Sequence, residues 1–185
     1  MKLAKRLIIT GIIVILMFSL IKVLKLQNIF LEKMYPLEHT EYVEQYAEQF
    51  GVDQYYIYSI IKSESNYDSQ ANSSKGAKGL MQLLPSTAQE IASELKIEIT
   101  EEDLYTPELN IMLGTKYFSN LKQVYQNEML ALAAYNAGPG NVTKWITDGT
   151  IKKDGTDVEN IPFKETNMYV RKIVQNYKIY KELYN

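Results

Sequence analysis

The sequence predicts a mainly α protein, with one helical domain over residues 38–185 behind a single apolar N-terminal helix. Three observations predict it. From residue 38 onward, apolar residues recur every three or four positions, which is the period of one helix face. Punctuation falls where those runs begin and end, with Asp53, Pro85 and Pro107 as starts and Gly51 and Gly138 as stops. Residues 7–21, LIITGIIVILMFSLI, carry no charge and almost no polar group.

The apolar run is short for a membrane span, but counted on to Leu26, past Lys22 and Lys25, it reaches about 30 Å as a helix. Lysines near a helix end can snorkel to the interface. Lys2, Lys5 and Arg6 precede the run like the charged start of a signal sequence. No small-x-small cleavage site follows, and the exit reads FSLIKVLKLQN. The expectation is an uncleaved signal anchor over 7–26, with 1–6 as a cytoplasmic tail. A cleaved signal peptide is the alternative. Positive charge flanks both ends, so charge bias does not set the orientation. Residues 27–37 read as a stalk ending at Pro36.

Within the domain, HTEYVEQYAEQF places Tyr42, Tyr46 and Phe50 on one face before Gly51 stops the helix. Asp53 can cap the next helix. Residues 68–78, DSQANSSKGAK, form a polar loop. Pro85 opens a short helix through Leu95. Thr106-Pro107 opens a longer one, with Leu109, Leu113, Tyr117, Leu121 and Val124 on one face. Gly114 inside it costs about 1 kcal/mol relative to alanine, so a close neighbour is the expected reason. A further helix, 128–137, ends at Gly138-Pro139. Two Asp-Gly pairs in 148–161 suggest a small hairpin. The last helix, 163–184, packs through Tyr169, Ile173, Tyr177, Tyr180 and Tyr184.

Composition narrows the chemistry. The chain has no cysteine, which removes disulfides, thiolate metals and a thiol nucleophile. One histidine, His39, leaves no imidazole cluster for zinc. The net charge is -2 with no basic stripe, which argues against nucleic acid as a partner. Carboxylates, hydroxyls and amides remain.

The stretch YSIIKSESNY then becomes informative. Ile57, Ile60 and Ile61 form an apolar stripe, and Glu64 falls on the same stripe. A carboxyl facing apolar surroundings has a raised pKa, because burial disfavours its anion. Moving it from about 4.3 to about 6–7 takes roughly 2.5–3.5 kcal/mol. Such a group keeps its proton near neutrality and can deliver it to a leaving glycosidic oxygen. The alternative is a solvated carboxylate at a helix end.

Residues 60–88, IIKSESNYDSQANSSKGAKGLMQLLPSTA, contain Glu64-Ser65, an Ala-x-Ser-x-x-Gly-Ala loop from Ala71 to Ala77, Gly-Leu-Met-Gln from Gly79 to Gln82, and Pro-x-Thr-Ala from Pro85 to Ala88. AYNAGPG at 134–140 and IPFKETNMYV at 161–170 follow in order. This set closely resembles the SLT-type lytic murein transglycosylases, glycoside hydrolase family 23, relatives of goose-type lysozyme. The resemblance covers about residues 40–180. It implies a lysozyme-like α domain with a groove for peptidoglycan glycan strands. By resemblance Glu64 falls on the catalytic acid, and Ser73 on the loop serine near that acid and the substrate's acetamido group. Gln82 falls on the groove glutamine, Tyr135 and Asn136 on a tyrosine and an asparagine facing the site, and Glu165 on the carboxylate of the final block. Each has a structural alternative. Ser73 can simply turn the loop. Gln82 can tie backbone, and Met81 can be core. Tyr135 can orient Glu64, bond the sugar or pack. Asn136 can hold a helix end, and Glu165 suits a helix N-terminus. Tyr67, just past Glu64, is a further groove candidate.

Most glycosidases use two carboxylates, and only Glu64 is well placed in this sequence. The resemblance implies a route that needs one. Glu64 protonates the leaving oxygen with acetamido assistance, then accepts the proton of the muramic acid 6-hydroxyl as a 1,6-anhydro ring closes. No water, metal or cofactor is consumed. Lysozyme-type hydrolysis is the first alternative and would call on Glu165 or Asp68. A non-catalytic glycan-binding module is the second. The resemblance places the domain outside the cytoplasmic membrane, so the anchor would run N-in, C-out. The sequence names no protein partner.

Overall fold

Pro85 and Pro107 sit at the first turn of two helices in the computed structural model, where a missing N–H costs nothing. The structure describes the backbone from Lys2 onward and the side chains of residues 16–23 and 25–185. The helices are α1 (Lys2–Met34), α2 (Thr40–Phe50), α3 (Gln54–Glu64), α4 (Pro85–Leu95), α5 (Pro107–Tyr125), α6 (Glu128–Ala137), α7 (Pro139–Thr147) and α8 (Lys164–Tyr184). Two 3-10 turns, Glu102–Tyr105 and Val158–Asn160, lie between them. No strand forms among the described residues; two isolated bridges, Asn72 to Lys78 and Lys78 to Leu83, brace the loop before α4.

The chain divides into two compact units, one of residues up to Pro36 with Leu183–Asn185, the other Leu37–Glu182. In the first, α1 continues as helix through the expected stalk to Met34. Its side chains Leu16, Phe18, Leu20, Ile21, Val23, Leu26, Ile29 and Phe30 are exposed. Among the described residues no helix is long and apolar enough to cross a membrane. Residues 7–15 and Leu24 of the expected span lie outside the described side chains.

The second unit is built around α5, which packs against α2, α4 and α6. α6 is buried through Leu130, Ala131, Leu132, Ala133 and Ala134, as its unbroken apolar run dictates. Gly51, with φ of 64°, ends α2. The Asp53 side chain accepts from the Tyr55 amide at 2.9 Å and caps α3. Gly114 lies against Met81, whose Sδ, Cβ and Cε occupy the place a Cβ would take, so a close neighbour does account for this mid-helix glycine.

Two expectations are corrected and one is extended. Val124 is exposed, because the buried face of α5 runs through Ile111, Gly114, Phe118, Leu121 and Tyr125, and with 3.6 residues per turn Val124 falls about 100° to one side of Tyr125. α6 ends at Gly138-Pro139 as expected, and Pro139 then opens a further helix, α7. Residues 148–161 form turns and no hairpin. Asp148 takes the Thr150 amide, Asp154 the Thr156 amide, and Asp157 the Lys152 amide, so side chains satisfy donors that a strand pair would have used.

Candidate active site

The apolar stripe of α3 delivers Glu64. Ile57, Ile60 and Ile61 are fully buried, and Glu64 follows them as the last residue of the helix, half-buried. The helix stops there because Asn66 and Tyr67 take left-handed backbone, with φ of 51° and 69°. That conformation disfavours bulky side chains by about 1–2 kcal/mol each. It is held by bonds to other parts of the chain. Ser65 Oγ donates to the Leu80 carbonyl at 2.8 Å, and the Tyr67 and Tyr180 hydroxyls meet at 2.6 Å. Tyr67 therefore lies against α8 and is not among the residues lining the cleft beside Glu64.

Tyr169 on α8 donates its hydroxyl to Glu64 Oε1 at 2.7 Å. Burial pushes the Glu64 carboxyl up from its ordinary value near 4.5 to about 7. The Tyr169 hydrogen bond and the Lys172 charge pull it down, and Glu165 pushes it further up, but burial prevails. Burial and the neighbouring Glu64 also hold the Tyr169 phenol well above its usual range, so it donates and does not ionise.

Glu64 opens on a cleft of about 250 Å³. Its walls bring together Ser73, Gln82, Tyr135, Asn136 and Glu165, five residues that lie up to 101 positions from Glu64 in the chain. Ser73 Oγ accepts the Ala77 amide at 3.0 Å and the Lys75 amide at 3.3 Å, which leaves its O–H to donate. Gln82 Nε2 donates to the Ala71 and Gly79 carbonyls at 3.1 and 2.9 Å, which leaves its oxygen to accept. Asn136 Oδ1 accepts from Thr166 Oγ1 at 2.7 Å, which leaves its N–H groups to donate. The cleft thus presents two kinds of donor and one acceptor, the set an amide-bearing sugar can pair with.

Tyr135 lines the cleft, but its hydroxyl goes to the Met81 carbonyl at 2.8 Å; the phenol that holds Glu64 is Tyr169. Glu165 is exposed and 4.0 Å from the Lys75 ammonium. Asp68 accepts the Gln70 amide and does not line the cleft. A larger recess of about 700 Å³ lies between α4 and α5, where Lys116, Asn120 and Glu94 bond one another.

Sequence reasoning missed two supports. Tyr169 reads as a packing residue, since it shares a stripe with Ile173; its place in the final Tyr-Val motif is the signal that singles it out. Buried Asn110 accepts the Met81 amide at 2.7 Å and donates to the Lys78 and Leu104 carbonyls, fixing the Gly79–Gln82 turn. Nothing in its local sequence marks it.

Residues 41–157 match the family model described as "Transglycosylase SLT domain". The soluble lytic murein transglycosylase of Escherichia coli (strain K12) is 36% identical over 151 residues, covering 78% of this chain and 23% of that protein. The membrane-bound lytic murein transglycosylase C of Yersinia enterocolitica is 33% identical over 113 residues, covering 55% of this chain and 32% of that one. Among solved structures, the lytic transglycosylase Slt of Pseudomonas aeruginosa superposes with a TM-score of 0.75 at 35% identity, over 83% of this chain and 25% of that one. The chain spans about a quarter of the length of the first of these relatives. A family match over most of the helical unit, and a shared fold at that identity, agree with the motifs around Glu64: the chain belongs to the SLT-domain transglycosylase family.

Proposed function

We propose that the chain is a lytic transglycosylase that cuts peptidoglycan strands between N-acetylmuramic acid and N-acetylglucosamine, with Glu64 as the one acid and base. The observation that carries this reading is the Glu64 carboxyl, raised to about 7 inside a cleft of amide and hydroxyl groups. Protonated Glu64 gives its proton to the leaving oxygen while the 2-acetamido oxygen supports the anomeric carbon. Ser73, Gln82 and Asn136 have the free donors and acceptor to hold that acetamido group. The Glu64 carboxylate, stabilised by the Tyr169 hydroxyl, then takes the proton of the 6-hydroxyl, and the 1,6-anhydro ring closes.

Hydrolysis in the same cleft needs a base for water. Glu165 is the other carboxylate lining it, and it is solvated and beside Lys75. An intramolecular hydroxyl, in contrast, has an effective concentration that bulk water does not match. Mass analysis of a murein digest tests the choice. Products one water lighter than hydrolysed ones, without a reducing end, are expected from the first minutes. Reducing-end muramic acid at that stage would replace this reading with the lysozyme one.

The exposed apolar side chains of α1 support a membrane anchor over residues 7–26, with the catalytic unit on the outer side. Full-length protein is expected in the membrane fraction. A mature chain beginning past the apolar run would make the segment a cleaved signal.

A further inference from the structure

Lys75 is the cation of the cleft wall among the described residues, and nothing in the catalytic scheme uses it. It sits in the loop between α3 and α4. Ser73 fixes its backbone: Ser73 Oγ accepts the Lys75 amide, and the Ser73 carbonyl accepts the Gly76 amide at 2.9 Å. The side chain is nonetheless 78% exposed. Its ammonium stands 4.0 Å from Glu165 Oε2 on the opposite wall, at the start of α8, and Glu165 is 76% exposed. An ion pair this open is screened and contributes little, so Lys75 can exchange Glu165 for another anion at small cost.

The rest of the cleft suits a neutral sugar. Glu64 holds its proton near neutrality, and Ser73, Gln82 and Asn136 offer hydroxyl and amide groups. An ammonium can donate to a neutral glycan, but its bond to an anionic oxygen is roughly twice as strong. Murein differs from a plain N-acetylglucosamine polymer by the lactyl arm on alternate sugars. That arm ends in a carboxylate on bare strands and continues into a carboxylate-bearing peptide on substituted ones. We infer that Lys75 is a specificity-determining residue that leaves Glu165 to pair with a carboxylate on the muramic acid arm, so that the cleft selects anionic over neutral strands. This rests on the murein reading above.

The test is binding to the full-length Glu64→Gln protein, in which cleavage is expected to be slowed at least about a hundredfold. Three probes are compared at low ionic strength: the neutral N-acetylglucosamine hexamer, stem-free murein strands, and strands bearing peptide stems. Adding Lys75→Gln should lower the preference for anionic over neutral probe about two- to fivefold, the scale of one exposed ion pair. Lys75→Glu should lower it further, Lys75→Arg should keep most of it, and salt should shrink the difference. A loss on stem-free strands assigns the lactyl carboxylate. A loss confined to stem-bearing strands assigns a peptide carboxylate. An unchanged preference, through equal weakening of all probes or none, overturns the proposal. Murein cleavage by the unaltered protein is scored separately, so failure of the transglycosylase reading is distinguishable from failure of this one.

Discussion

Glu64→Gln is expected to lower murein cleavage at least about a hundredfold, the scale a general acid supplies. Gln keeps the shape and an oxygen for the Tyr169 hydroxyl, so the cleft should stay assembled. The variant should also be more stable, which separates chemistry from folding. In the folded chain the Glu64 carboxyl ionises near 7, and in the unfolded chain near 4.5. Between those values the unfolded state has released its proton and the folded state has not. Stability therefore falls as pH rises through this window, and is fully present only below it. Glu64→Gln removes that loss, a gain of roughly 3 kcal/mol at pH 8 and little at pH 4. Denaturant melts at the two pH values check the stability, and turnover on murein checks the acid. Activity within a few fold of wild type would remove Glu64 from its role.

Tyr169→Phe has the second largest expected effect. Phe keeps the ring in the core and removes only the hydroxyl that donates to Glu64 at 2.7 Å. That bond stabilises the anion, so without it the carboxyl should titrate higher still. In the proposed mechanism cleavage requires protonated Glu64, so activity should fall as pH rises through its pKa. The alkaline limb should therefore move to higher pH. The return step loses support at the same time, because the carboxylate must form before it can accept the 6-hydroxyl proton. A hydrogen bond to a charged group is worth about 1.5–3 kcal/mol, so maximal turnover should drop roughly ten- to a hundredfold. A pH–rate profile shows both effects. An unmoved limb would mean that Tyr169 only packs.

What the sequence discloses and what it conceals follow from the range of the forces involved. Helix starts at Asp53, Pro85 and Pro107 and the stop at Gly51 were legible because capping and proline geometry act within one turn. Glu64 was legible because it interrupts an apolar stripe. The motif blocks drew Ser73, Gln82, Tyr135, Asn136 and Glu165 toward it, and all five line the same cleft. Their hydrogen bonds were not legible. Which phenol meets Glu64 depends on where α8 crosses α3, and Tyr169 is 105 residues away in the chain. Tyr67 is close in sequence, yet a left-handed turn at Asn66 and Tyr67 sends it to Tyr180. The hairpin expectation failed because Asp-Gly reads alike whether the aspartate opens a strand pair or caps its own turn. Lys75 lies in a polar loop with no period to mark it, and its place opposite Glu165 appears only once α8 is folded against that loop.

The proposed mechanism turns on a Glu64 that is still protonated near neutrality because burial outweighs Tyr169 and Lys172. Titration of the Glu64 side-chain carboxyl by carbon NMR, assigned with the Glu64→Gln variant, measures this directly. A midpoint near 7 is the result the burial of Glu64 requires. A midpoint near 4.5, the ordinary carboxyl value, would leave an anion facing the glycosidic oxygen, and the single-acid account would be wrong.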